Sequence, residues 1–297
     1  MEWQNARRSS NVEDRRGQGG LGGFGGFGGG SNLFGGKGCG CGGGLGLIVV
    51  IILFWVMGEN PLQLIGMMDG GNQVADSGYT NDGSPAQDDR EGQFASAVLA
   101  NTEDVWTELF RQMRRSYTPP TLVLYNQYTT SGCGGAQSST GPFYCPNDEK
   151  VYLDLSFFQQ MTQQFRAGGD FADAYVIAHE VGHHVQKLLG TLDQVNSQMA
   201  RSSQKDANAL SVRLELQADF YAGVWAHYAK ELKINNEDIN EALNAASAIG
   251  DDRLQKESQG YTVPDSFTHG TSQQRHDWFY KGYTTGDMNQ GNTFAGI

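Results

Sequence analysis

The chain has 297 residues, 38% of them hydrophobic, enough for one substantial core or two small ones. A formal net charge of −12 excludes a surface built to grip nucleic acid. The charge is uneven. Residues 1–57 hold Arg7, Arg8, Arg15, Arg16 and Lys37 against Glu2, Glu13 and Asp14, so the acidic excess lies in the rest of the chain.

Taken in order, residues 1–43 read as a Gly-rich, disordered leader, dominated by "GQGGLGGFGGFGGGSNLFGGKGCGCGGGLG". Such a composition cannot bury enough surface to offset the entropy of ordering. The apolar run from Leu45 to Met57 follows. It is short against the roughly 20 residues of a full span, but flanking glycines and "PLQLIGMM" extend it, and residues 44–66 are expected to form one transmembrane anchor. A cleaved signal segment and a buried core helix are the alternatives. Basic residues lie before the apolar run Leu45–Met57, and Glu59, Asp69 and Asp76 after it. The positive-inside rule therefore predicts a cytoplasmic N-terminus and an exported body, periplasmic or at the cell surface. Residues 67–90 read as a polar linker.

Residues 91–297 read as one α+β domain, mostly helical. "QFASAVLANTEDVWTELFRQM" has helical apolar spacing, and Pro119 and Pro120 stop it. "PPTLVLYNQ" and "KVYLDL" read as two strands of a short N-terminal sheet. Tyr152, in the second, is expected on an exposed strand that lines a substrate edge. Helices are then predicted at about 156–167, 171–189, 206–232 and 236–249, with another near Gln273. Cys133 and Cys145 bracket the loop "GGAQSSTGPFY". A disulfide there suits an exported domain and would stabilise it by roughly 3 kcal/mol; two free thiols are the alternative. Cys39 and Cys41 fall on the expected cytoplasmic side.

The stretch "DFADAYVIAHEVGHHVQKLLG", residues 170–190, holds three of the six histidines. At about 100° per residue, His183 lies only about 40° round the axis from His179, and Glu180 shares the same broad face. Two imidazoles one turn apart bind one Zn²⁺ while the adjacent carboxylate reaches a metal-bound water. His184 lies a further 100° or so round and reads as a supporting residue. Asp170 is placed to cap the helix and Gly190 to end it. Gly182 costs about 1 kcal/mol in mid-helix, so a close helix approach is expected there. The partner is "NALSVRLELQADFYAGVWAHYAKEL". Its Glu215 and Asp219 share a face that continues in the small residues Ala222, Gly223 and Ala226, as a helix pressed on the metal helix requires. Leu214, Tyr221, Val224, Trp225 and Tyr228 are left for the core. Glu215 reads as the third ligand and Asp219 as the acceptor that orients a ligand histidine.

Together "AHEVGHHVQ", "RLELQADFYAGVWAH", "THGTSQQR" and "GPFYCPNDEKVYLDLSFF", with the Gly-rich head, resemble the bacterial neutral zinc metallopeptidase family over nearly the whole chain. The resemblance implies a zincin-type fold of the gluzincin kind and one zinc per chain. It implies His179, His183 and Glu215 as ligands, Glu180 as general base, and a peptide or protein substrate. A donor for the developing oxyanion is also expected. His269 is the candidate, with Arg275 and His276 behind it, and His227 reads as structural. The competing function is a non-catalytic, zinc-stabilised extracytoplasmic binding or scaffold module. Structural zinc sites usually close all four positions with cysteine and histidine, and no cysteine lies near these helices.

Overall fold

A computed structural model of the chain describes residues 1–16 and 89–295. The expected anchor, the linker up to residue 88, and Cys39 and Cys41 lie outside them. Among the described residues, no helix is long and apolar enough to cross a membrane.

The sheet starts where the sequence suggested disorder. Val12–Asp14 form β1, which pairs in parallel with β2 (Thr121–Tyr125), Val12 opposite Leu122. Residues 1–16 thus belong to the folded domain rather than to the leader. Between β1 and β2 in sequence comes α1 (Arg90–Gln112), capped by the Asp89 carboxylate, which accepts the Gly92 N–H at 3.1 Å. The hairpin β3 (Tyr128–Ser131) and β4 (Gly134–Gln137) follows, then β5 (Phe143–Cys145) and β6 (Lys150–Asp154). The main sheet has the order β1–β2–β6–β5, with β6 parallel to β2 and β5 antiparallel to β6.

The central strands are buried on both faces, as a parallel pair must be, and so read as near-continuous apolar runs. Leu122, Leu124, Val151 and Leu153 join the main core with α1 and the long helices. Val123, Tyr125, Cys145 and Tyr152 form a second cluster on the other face. The hairpin belongs to that side, tied in by the Cys133–Cys145 disulfide, which joins its turn to edge strand β5. Tyr152 is therefore not on an exposed edge. It is 1% exposed, stacks on Phe143 with ring centroids 4.9 Å apart, and donates its hydroxyl to Asp148. The edge on this side of the sheet is β5.

Seven helices follow the sheet or precede the C-terminus: α2 (Ser156–Gln163), α3 (Asp170–Leu189), α4 (Thr191–Met199), α5 (Gln204–Tyr228), α6 (Asn236–Ala248), α7 (Asp251–Gln259) and α8 (Ser272–Thr285). α3 is buried nearly all round, which makes it the central helix. It ends at Gly190 in the left-handed conformation, as expected. Asp170 does not cap its start. It is the first helical residue, and its carboxylate instead accepts Trp3 Nε1–H at 2.9 Å and the Arg90 guanidinium.

Two glycine contacts fix how the long helices cross. A Cβ on Gly182 would stand 2.9 Å from the Ala218 carbonyl oxygen, so α3 and α5 meet backbone to backbone, as the sequence predicted. Gly223 faces elsewhere. A Cβ there would lie 2.1 Å from the Phe279 carbonyl oxygen, and one on Gly282 would lie 2.1 Å from that of Phe220. The small residues after Asp219 thus admit α8 as well as α3. Tyr228, expected in the core, is exposed and donates to the Gly286 carbonyl.

Candidate metal centre

The α3–α5 crossing at Gly182 sets one turn of each helix side by side. His179 and His183, one turn apart on α3, have ring centroids 4.9 Å apart and planes at 90°. Glu215 on α5 faces both, with Oε2 3.1 Å from His179 Nε2 and Oε1 3.5 Å from His183 Nε2. One ligand atom from each residue lies within 4.8 Å of the others. The spacing read from sequence thus brings together two helices that only the fold could join.

Each imidazole is held from behind by its Nδ1. His179 Nδ1 meets Asp219 Oδ1 at 2.8 Å, and His183 Nδ1 meets Gln186 Oε1 at 2.9 Å. With Nδ1–H donated to these oxygens, both Nε2 atoms are turned to the shared space with Glu215. Gln186 is a residue the sequence reading missed, although its place three after His183 puts it on the same helix face. Its Nε2–H₂ donates to the Leu214 carbonyl at 2.7 Å and to Gln217 Oε1 at 3.2 Å, which clamps α3 to α5 beside Glu215.

Asp219 is fully buried and accepts four hydrogen bonds. They come from His179 Nδ1, the Tyr175 hydroxyl at 2.5 Å, Arg275 Nε at 2.8 Å and Arg275 Nη2 at 3.0 Å. Burial works to raise this carboxyl, but Arg275 and His179 outweigh it and hold it at about 2. Arg275 was a candidate for the oxyanion; instead it is buried behind His179 as the counter-ion of Asp219. The His179 imidazole would be lowered by burial, yet Asp219 and Glu215 raise it to about 10. Metal and protons therefore compete for this nitrogen.

Glu180 is buried on the same face of α3. Burial raises its carboxyl, against the pull of His183 and His179 and of the Tyr144 amide on β5. His184 is fully buried and supports rather than ligates: Nε2–H donates to the Thr118 carbonyl at 2.7 Å, and Nδ1 accepts the Tyr144 hydroxyl at 3.0 Å. Burial lowers its pKa, consistent with a neutral ring. His227 binds the Tyr283 carbonyl at 2.7 Å, a structural role, and His276 sits at the surface beside Asp277.

His269 approaches from the loop between α7 and α8. Asp251, at the start of α7, shapes that loop: its Oδ2 accepts the backbone N–H groups of Thr268, His269 and Gly270 at 2.7, 2.6 and 3.1 Å. Its Oδ1 lies 3.1 Å from His269 Nδ1. Burial lowers the His269 imidazole, but Asp251 and, from across the site, Glu215 raise it on balance. A Cβ on Gly270, at φ +93°, would stand 3.2 Å from Val212 Cγ1 and 3.3 Å from Leu216 Cδ2, so the loop lies close against α5. Asp251 was also missed; "GDDRLQKESQ" has no apolar periodicity to announce a helix, still less its first residue.

A family model described as "Putative neutral zinc metallopeptidase" matches residues 1–294. The chain belongs to this family. "Uncharacterized protein YpfJ" of Escherichia coli (strain K12) is 50% identical over 296 residues, 99% of this chain and 99% of its own. "Uncharacterized protein Mb2605" of Mycobacterium bovis is 42% identical over 215 residues, 68% of this chain and 72% of its own. No solved structure matches the chain. The family name implies zinc, and the residues present fit it. Two imidazole nitrogens and one carboxylate converge, each ring with its other nitrogen engaged, which is the donor set zinc takes in sites that keep a position for solvent.

Proposed function

We propose that the protein is a zinc-dependent endopeptidase, with His179, His183 and Glu215 as the residues that would hold the ion. When bound, zinc supplies Lewis acidity, lowering the pKa of a coordinated water toward about 7 and polarising a carbonyl oxygen. Glu180 takes the proton of the attacking water and returns it to the leaving nitrogen. Its burial favours the first step, because a carboxyl raised above its ordinary value is the stronger base. His269, fixed through Nδ1 by Asp251, has Nε2 for the developing oxyanion, and its raised pKa keeps that nitrogen a donor. Asp219 and Gln186 keep the two ligand rings from turning.

The peptide would lie along β5. This strand is the sheet edge beside the metal helix; its Tyr144 touches His184 and its amide faces Glu180. An unpaired strand edge can take an extended peptide as one more strand. The observation that carries the reading is the convergence of both Nε2 atoms on Glu215 with a buried carboxylate at the next position after His179. The test is metal analysis beside a peptide-library digest, wild type against Glu180→Gln. Zinc near one per chain in both, with cleavage only in the wild type, is the expected result. Zinc in both and cleavage in neither would favour a zinc-stabilised binding module.

A further inference from the structure

The site of the proposed reaction has a fixed relation to the first residues of the chain, and that relation bears on topology. The four arginines before residue 17 would, as free charges, hold the N-terminus in the cytoplasm. In the fold all four have partners. Arg7 binds Glu103 and Asp104 of α1, Arg8 binds the Gln93 side chain and the Ala6 carbonyl, Arg15 binds Glu13, and Arg16 bridges Asp14 and Asp89.

The domain, in turn, is built to receive this segment. Glu103 is a buried carboxylate in the middle of α1, and its described hydrogen bonds all come from residues 7–11: Arg7 Nη2 at 2.8 Å, Ser9 Oγ at 2.5 Å and Asn11 Nδ2 at 2.8 Å. Trp3 is 4% exposed, packs edge-on against Phe94, and donates to Asp170, the first residue of the metal helix. β1 completes the ladder of β2, and Lys150 of β6 reaches Glu13 at 2.8 Å. Were residues 1–16 across a bilayer from the domain, Glu103 would be a desolvated charge without donors, β2 would be a bare edge, and the Trp3 seat would be open. Leaving one buried carboxylate unpaired is among the costliest single defects a fold can carry.

We infer that residues 1–16 and 89–295 lie on one side of any membrane the chain meets. The N-terminus is then part of the catalytic domain and travels with it. Arg16 and Asp89, the two described residues nearest the ends of the intervening segment, are ion-paired, so the two described segments end beside each other. The Cys133–Cys145 disulfide indicates an oxidising compartment for both parts. The inference stands whether or not the site is a peptidase.

The experiment uses the full chain in bacterial spheroplasts, with Cys39→Ser and Cys41→Ser so that one added thiol is free. Asn5→Cys and Tyr261→Cys, both at exposed positions, are labelled separately with a membrane-impermeant maleimide before and after detergent. Both should label before detergent and to the same extent. Labelling of both only after detergent would uphold the shared compartment and move it inside. Labelling of Tyr261→Cys before and Asn5→Cys only after would overturn the inference. A second arm tests the docking itself on purified full-length protein: Trp3→Ala should lower Tm by roughly 5–15 °C, and an unchanged Tm would overturn it equally.

Discussion

Two buried carboxylates on two helices show how differently one device is used. Asp219 on α5 is surrounded by partners from α3 and α8, and one of its four hydrogen bonds orients His179, a candidate ligand. Glu103 on α1 is satisfied from residues 7–11, and its bonds secure a strand to the sheet. Both are charges withdrawn from water, and both gather donors from distant chain. The first network sits against the candidate metal centre, the second against no candidate site among the described residues. Buried polar satisfaction is thus a property of the fold, and only the neighbours decide whether it serves a site.

The comparison breaks first at Arg275. Arg275→Met would leave Asp219 buried without its counter-ion, and denaturant unfolding should show a loss of about 3–5 kcal/mol. A loss below about 1 kcal/mol would mean that Asp219 does not need it. The contrast between networks is sharpened by a matched pair. Asp219→Asn should weaken zinc binding about 10–100-fold, measured by competition with a chelating dye, whereas Glu103→Gln should lower Tm and leave zinc affinity unaltered. Equal effects on zinc would erase the distinction. Gly223→Ala tests the packing that carries Arg275 on α8 to Asp219: the added methyl meets the Phe279 carbonyl, and about 1–3 kcal/mol of stability should be lost.

The smallest effect concerns Asp173 on α3, whose buried Oδ1 has no hydrogen-bond partner among the described residues and whose burial Arg90 does not offset. Burial, with Asp170 and other carboxylates nearby, raises it from 3.8 to about 8. Its folded form therefore binds a proton more tightly than the unfolded chain does. Below pH 3.8 it is protonated in both states and carries no penalty; as pH rises toward about 8 the unfolded chain ionises first and stability falls. Asp173→Asn should raise Tm by a few degrees at pH 8 and leave it nearly unchanged at pH 4. Equal gains at both values would mean that ionisation is not the cause.

How much of this was legible follows from what a local pattern can hold. The spacing of His179, Glu180 and His183 is a property of one helix, so sequence gave it directly, and Gly182 announced the crossing that brings Glu215 in. The long amphipathic helices were equally plain. Tyr152 misled because alternation in "KVYLDL" implies one solvated face, and nothing nearby says that a disulfide-tied hairpin covers it. Asp251 and α7 were hidden by a helix with almost no apolar residues, Gln186 by standing just beyond the motif. β1 is three residues long and carries no pattern at all; its partner lies more than a hundred residues on. The arginines near it were legible as charge but not as charge already paired.

The central claim is that Glu180 works on a water activated beside His179, His183 and Glu215. Purified wild type and Glu180→Gln, assayed together for zinc content and peptide hydrolysis, test it most directly. The account predicts equal zinc and a fall in hydrolysis of roughly 10²–10⁴-fold. Hydrolysis undiminished in the variant at equal zinc would contradict it.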